Sequence, residues 1–394
     1  MKEGWTYKKL GEVCDTISGF TPPSNMLQSS GKYPYFKVAD MNVKGNEKVM
    51  HITKSYLEES KKYFRAGTIV FPKNGAAIAT NKKRILGQDS IVDLNTAGLY
   101  PKPDSLIQGY LYYYIQQVDF RTITRGGAVP TLDLKELIQK KILVPPLDEQ
   151  LQIISELDLL SDTMEKQKAQ IEELDKLAHS IFYDMFGDPV TNEKGWEVKT
   201  LKAISSKITN GNTPKGGSDV YVEEGILFLR SQNVWRNKIV FDDVAYIDDA
   251  THKMLHHSSL MHNDILITKT GRFNTENSSL GRAALYIGDD NMANINGHVY
   301  LVRLNPGIDK KYVLYILISE SFRQLIRRVC VGGIDKRQLN KNHIEDFPII
   351  LPSLALQQEF AAKVEAIEQM KAKVRQSLKE SEELFNSRMD YYFN

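Results

Sequence analysis

The sequence predicts an α+β chain written twice, each copy a mixed domain followed by one long helix. Three observations carry this prediction: an ordered series of internal matches, two long proline-free stretches with heptad spacing, and short β-type runs between turn residues. Repeats are sought first because missing them misreads the whole fold.

The first copy opens at Gly4-Trp5 and the second at Gly195-Trp196, so that Trp5, Leu10 and Ile17 match Trp196, Leu201 and Ile208 at an offset of 191. "YFKVADMN" (35–42) then matches "FLRSQNV" (228–234) at offset 193, and "TIVFPKNG" (68–75) matches "DILITKTG" (264–271) at 196. "YLYYYIQQVDFR" (110–121) matches "YVLYILISESFR" (312–323) at 202, Gly126-Gly127 match Gly332-Gly333 at 206, and "ILVPPLDEQ" (142–150) matches "IILPSLALQ" (349–357) at 207. The order is kept and the offset only grows, as loop insertions in a duplicated chain require.

Within each copy, short runs such as "TIVF", "DILIT" and "AALYI" are split by Gly, Asn and Pro turns, the pattern of strands in a loop-rich domain. Helical segments follow at 108–123 and 309–328. Pro145-Pro146 then ends a strand-like "KILV", and no Pro or Gly occurs from Asp148 to Phe186. Leu157, Leu160, Met164, Gln167, Ile171, Leu174, Ala178, Ile181 and Met185 step by threes and fours, a heptad seam. Gly187-Asp188-Pro189 stops it. A helix of this length spans about 60 Å at 1.5 Å per residue. After Pro352 a second helix runs to Phe393, with seam residues Phe360, Val364, Ile367, Val374, Leu378 and Phe385, weakened at Lys371, Ser381 and Arg388. Helices this long need a partner along their length, and the other helix of the chain is the obvious one. The expected boundaries are a domain at 1–147, a helix at 148–187, a domain at 188–354 and a helix at 355–394.

The 394 residues suffice for two or three domains, and 42% hydrophobic with 25% charged residues is a soluble globular composition. A net charge of +2 permits a nucleic-acid partner without arguing for one. Two cysteines, Cys14 and Cys330, make no disulfide framework or Cys-rich metal site. With no signal-peptide core and no membrane-length apolar run, the expected compartment is the cytoplasm.

Catalytic motifs are missing. The pairs "TPPS" and "VPPL" lack the acid or amide and the aromatic of a DNA amino-methyltransferase motif, and there is no P-loop or dinucleotide turn. Glu197-Val198-Lys199 has a nuclease-like spacing but falls on an expected strand. His252 and His256 have the spacing of a helical metal pair, with His257 and His262 nearby, yet the first copy has no counterpart and solvated histidines are the simpler reading. No catalytic residue and no metal ligand is assigned. A bilobed chain without chemistry suits reading two copies of something at a set spacing.

The chain resembles the DNA specificity subunits of Type I restriction-modification systems. The resemblance rests on "GWTYKKLGEV" and "GWEVKTLKAI" opening the halves. It rests equally on "GGAVPTLDLKELIQKKILVPPLDEQ" and "GGIDKRQLNKNHIEDFPIILPSLALQQEF" closing them; Ser353 and Ala355-Leu356 depart from the first copy's Pro and Asp-Glu. It implies two target recognition domains, with the helices packed as an antiparallel coiled coil under a pseudo-two-fold. It implies a non-catalytic subunit that reads a bipartite double-stranded DNA target and docks two methyltransferase subunits. S-adenosylmethionine would bind those partners. Restriction subunits, where present, would use ATP and magnesium. A short spacer between half-sites of about 3–5 base pairs would set both domains on one side of the duplex. The alternative is a coiled-coil adaptor that binds proteins instead of DNA.

Base edges are read by Arg, Lys, Asn and Gln, and phosphates by Lys, Arg and backbone amides. The richest loops are "PKNGAAIATNKKR" (72–84) and "TKTGRFNTENSSLGR" (268–282), where the family places DNA-facing segments. The first offers Lys73, Asn74, Asn81, Lys82, Lys83 and Arg84. The second offers Lys269, Arg272, Asn274, Asn277 and Arg282. A second pair of segments adds Lys37, Arg230, Gln232, Asn233 and Arg236; Asp40 and Asn233 are equally suited to capping a turn. Arg125, Lys336 and Arg337 flank the Gly-Gly pairs.

Overall fold

The computed structural model describes residues 4–394 except 128, 273, 274, 276 and 334. The chain divides into two compact units: Met1–Lys168 with Gln376–Asn394, and Ala169–Arg375. Each long helix therefore belongs partly to each unit. They run Leu147–Phe186 (the central helix) and Leu354–Phe393 (the distal helix).

The first unit is built on a five-stranded sheet, Cys14–Ser18, Thr96–Pro101, Ile69–Pro72, Arg84–Leu86 and Val49–Met50 in spatial order, antiparallel except for the last pair. A smaller sheet, Tyr56–Leu57, Tyr33–Phe36 and Ile91–Val92, lies within the same unit. The second unit repeats the order: Ser205–Asn210, Val299–Leu304, Ile265–Thr268 and Ala283–Leu285 form one sheet, with Ala245–Ile247, Ile226–Leu229 and Ala293–Ile295 as the smaller one. Each domain is closed by pairing its opening strand with its last: Thr6–Lys9 with Lys141–Val144, and Glu197–Thr200 with Pro348–Leu351. This explains why Gly-Trp motifs and the terminal apolar runs recur together.

Buried glutamines explain the last part of the repeat. Gln150 Oε1 accepts from the Ile107 N–H at 2.8 Å while its Nε2 donates to the carbonyls of Ser105 and Pro145. Gln357 does the same with the Asp309 N–H (3.0 Å) and the Pro352 carbonyl (2.9 Å). Each glutamine ties the first turn of a long helix to the start of the short helix beneath it, satisfying backbone groups that burial would otherwise strand. Tyr110 and Tyr312 hydroxyls likewise donate to the Leu143 and Ile350 carbonyls.

In each unit the two long helices run antiparallel. In the first, Arg388 and Tyr392 both meet Glu156 at 2.6 Å, and Gln167 Nε2 donates to Ser377 Oγ at 2.9 Å. In the second, Lys371 meets Asp175 at 2.5 Å and Phe360 packs on Phe182 and Phe186. The seam breakers Lys371 and Arg388 are thus each matched by an acid across the pair, and the third, Ser381, donates back to the Ser377 carbonyl.

The predicted seam is used unevenly. Leu157 is buried in the first core, and Phe360, Val364 and Ile367 are buried in the second. Leu174 and Ile181 pack half-buried on the second core and Phe385 on the first, while Leu160, Met164, Ile171, Val374 and Leu378 are half-buried. Phe182, outside the predicted seam, is fully buried, whereas Ile181 is not. The helix ends face a domain core as well as the other helix, so the buried stripe there turns away from a pure heptad line. No helix among the described residues is long and apolar enough to cross a membrane.

Candidate nucleic-acid interface

In the first unit, the strand Ile69–Pro72 delivers Lys73 and Asn74 to one end of the main sheet. There the Leu132 N–H donates to the Lys73 carbonyl and the Gly75 N–H to the Pro130 carbonyl, both at 2.8 Å, and Asn74 bridges Thr131. Thr131–Leu132 pairs in turn with Thr124–Arg125. Two segments far apart in sequence thus place Lys73, Asn74, Thr131 and Arg125 together. Burial and then the Lys62 charge pull the Lys73 pKa down, with Asp93 opposing. Lys62 itself donates to the Ser18 carbonyl at 2.9 Å and lies over the Phe20 ring.

The second unit builds the same arrangement. The Lys269 N–H donates to the His298 carbonyl, as Lys73 does to Asn95, and the Leu339 N–H donates to the Lys269 carbonyl, as Leu132 does to Lys73. Thr270–Gly271, Arg337–Gln338 and Val331–Gly332 form a three-stranded sheet. It brings Lys269, Arg272, Lys336 and Arg337 together. The first glycine of each Gly-Gly pair has positive φ, 94° at Gly126 and 113° at Gly332, and a Cβ on Gly332 would sit 2.5 Å from the Lys336 carbonyl oxygen. The second glycines, Gly127 and Gly333, meet nothing within 4 Å.

Several predicted contact residues are instead committed to the fold. Lys83 is 1% exposed; its ammonium donates to the Val118 carbonyl at 2.7 Å and lies 4.5 Å from the Phe120 ring centre. Burial pushes its pKa down to about 8. Arg282, also buried, donates to the carbonyls of Ser278 and Asn277 and stacks 3.9 Å from the Trp235 ring centre. Asn233 is buried, accepts from the Arg230 N–H and donates to the Val240 and Asp243 carbonyls. Asp40 accepts from Lys37 N–H in the same way, so turn capping is what this pair of positions does. In each case a long basic or amide side chain found internal acceptors, which composition cannot reveal.

Other predicted residues are partly engaged. Asn81 adopts a left-handed conformation and accepts from the Phe120 N–H. Lys82 donates to Asn42, and Arg84 to the Lys83 and Met41 carbonyls. Asp243 holds Arg230 at 2.9 Å and accepts from Gln232. Exposed residues are Lys37, Arg125 (3.5 Å from Asp133), Gln232, Arg236, Arg272, Asn277 and Lys336. Asn274 lies outside the described residues. Lys62 and Thr131 join the first interface without having been predicted. "SKKYF" carried a charge signal for Lys62, while Thr131 is found only through the repeat.

His252 Nδ1 meets Asn294 Oδ1 and His262 Nδ1 meets the Gly288 carbonyl. Among the described residues, no three His, Cys, Asp or Glu side chains are grouped to hold a metal ion. Glu197 and Lys199 pair with each other at 3.2 Å on the opening strand of the second domain. Two clusters of Lys, Arg, Asn and backbone amides on sheet ends are suited to phosphate oxygens and base edges.

A family model described as "Type I restriction modification DNA specificity domain" matches residues 2–176 and again 193–381. The chain is 24% identical over 391 residues to the Type I restriction enzyme MjaIX specificity subunit of Methanocaldococcus jannaschii, covering 92% of this chain and 86% of that one. The MjaVIII specificity subunit of the same organism is also 24% identical, over 93% and 87% of the two chains. The fold is similar to the crystal structure of a Type I restriction-modification S subunit from M. genitalium, with a TM-score of 0.57, 16% identity and coverage of 99% and 96%. A structure described as the basis of complex assembly and conformational transition of the Type I system gives a TM-score of 0.58 at 17% identity, over 99% and 98%.

Proposed function

Since the chain belongs to the Type I restriction modification DNA specificity family, we propose that it reads a bipartite DNA target, one half-site per domain. It is the non-catalytic, sequence-reading subunit of its system, and catalysis lies in partner subunits. The observation that carries the bipartite reading is the double construction of the interface: Lys73 and Lys269 sit on equivalent backbone bonds, each beside its own Gly-Gly segment. Two separate recognition domains on one chain raise the effective concentration of the second contact once the first has formed.

In this reading the long helices hold the half-sites at a fixed separation and dock two methyltransferase subunits in the cytoplasm. Those partners bring S-adenosylmethionine. Restriction subunits, where the system has them, bring ATP and magnesium chemistry. Selection of bound duplexes from a random pool tests the assignment. The wild-type complex should return two specified blocks around a free spacer, and Arg272→Ala with Lys336→Ala should blur only one block. Blurring of both blocks, or of neither, contradicts it.

A further inference from the structure

The two copies hold the same backbone frame at the candidate interface but present different side chains on it. The strands that carry it have matching register: Pro72 lies opposite Thr96 in the first domain, and Thr268 opposite Val299 in the second. One step further on, the Lys73 N–H donates to the Asn95 carbonyl and the Lys269 N–H to the His298 carbonyl. A tight turn leads into each second strand. In it the Thr96 N–H donates to the Asp93 carbonyl, and the Val299 N–H to the Asn296 carbonyl. Asn95 and His298 therefore stand at equivalent points of equivalent turns.

Each touches the neighbouring segment through its side chain. Asn74 Nδ2 donates to Asn95 Oδ1 at 3.3 Å and to the Leu94 carbonyl at 3.5 Å. Thr270 Oγ1 meets His298 Nδ1 at 3.4 Å, which leaves Nε2 as the ring nitrogen for a ligand. The third segment is equivalent as well: Asn74 is bridged to Thr131, and Thr270 pairs with Gln338. Directly opposite residues in such a pair carry their side chains on one face. Each domain thus presents a row of three polar side chains: Asn95, Asn74 and Thr131 in the first, His298, Thr270 and Gln338 in the second.

The frame around the rows repeats, and the rows differ at all three places. Buried Leu132 and Leu339 close the third segment in the same way, each donating its N–H to the carbonyl of Lys73 or Lys269. Asn95, His298 and Gln338 are exposed, and Asn74, Thr131 and Thr270 are half-buried. All six carry hydrogen-bonding groups and none a permanent charge. They therefore suit base edges, where Asn and Gln amides match adenine and Thr hydroxyls match several bases. Lys73 and Lys269, beside the rows, supply the charge that a phosphate needs.

We propose that these rows read base edges and that the difference between them gives the two half-sites different sequences. Asn95, His298 and Gln338 are then specificity-determining residues. This rests on the bipartite DNA reading above.

The test is selection of bound duplexes from a random pool by the wild-type complex and by Asn95→Ala, His298→Ala and Gln338→Ala, followed by affinity for the selected duplex across a potassium chloride series. Losing one base contact should relax the preference at the base pair it touches by about 5–150-fold. Asn95→Ala should relax one block only, and the other two variants the other block only. All three should keep the wild-type slope of log K against log salt, because no phosphate contact is removed. Lys269→Ala, by contrast, should weaken binding of every sequence and flatten that slope by about 1. The three alanine positions are exposed, and circular dichroism of each variant should match wild type. Unchanged blocks in all three variants, or a variant that relaxes both blocks, overturns the rows while leaving the DNA reading intact. A wild-type complex that returns no specified block overturns both.

Discussion

Replacing Gln357 with leucine should loosen the first turn of the distal helix on the domain it begins on. Leucine nearly conserves volume, so no cavity term arises. What is lost is the acceptor for the Asp309 N–H and the donor for the Pro352 carbonyl, at a side chain only 2% exposed. Each stranded group costs about 1–2 kcal/mol, so Gln357→Leu should cost about 2–4 kcal/mol. In a unit of about 200 residues that is a fall in Tm of about 5–15 °C. Gln150→Leu strands three groups, the Ile107 N–H and the Ser105 and Pro145 carbonyls, and should cost at least as much. Calorimetric unfolding of the full chain reads both. If either variant stays within about 0.5 kcal/mol of wild type, as a neutral surface change does, the tether argument is wrong.

Lys83 gives a pH signature. Its folded pKa of about 8 lies below the ordinary 10.5, so between these values the unfolded chain binds the extra proton and stability rises with pH. The rise is up to about 3 kcal/mol at 1.36 kcal/mol per unit. Denaturant titrations from pH 8 to 10 should show it in wild type and lose it in Lys83→Met, which should keep its DNA affinity. Lys371→Leu replaces a buried charge held by Asp175 and Glu368 with a heptad-compatible residue. Asp175 and Glu368 stay open to solvent when it is removed, so the unfolding free energy should be unchanged or higher, by up to about 4 kcal/mol. Gly19→Ala and Gly211→Ala place a Cβ 2.0 Å from the Asp93 oxygen and 1.8 Å from the Ile295 oxygen. Each should cost more than about 3 kcal/mol, whereas Gly127→Ala and Gly333→Ala should stay within about 0.5 kcal/mol.

The duplication and the two long helices were legible because each leaves a pattern in sequence order. The offset of 193 between Asp40 and Asn233 proved structurally real, since both side chains accept from the N–H three residues earlier. The fate of individual cations was not legible. Lys83 and its neighbour Lys82 read alike, yet one is buried on Phe120 and the other is half-exposed. What separates them is the internal carbonyl that Val118 presents to the Lys83 ammonium.

The central claim is that this chain selects a two-part DNA sequence. Co-expression with a cognate Type I methyltransferase subunit in a host lacking adenine methylation, followed by modification-sensitive sequencing, tests it most directly. The account predicts one bipartite motif with N6-methyladenine on each strand, altered in only one half when residues 1–147 or 188–354 are exchanged. A verified, soluble complex that leaves adenine unmethylated, or a motif in which one exchange alters both halves, contradicts it.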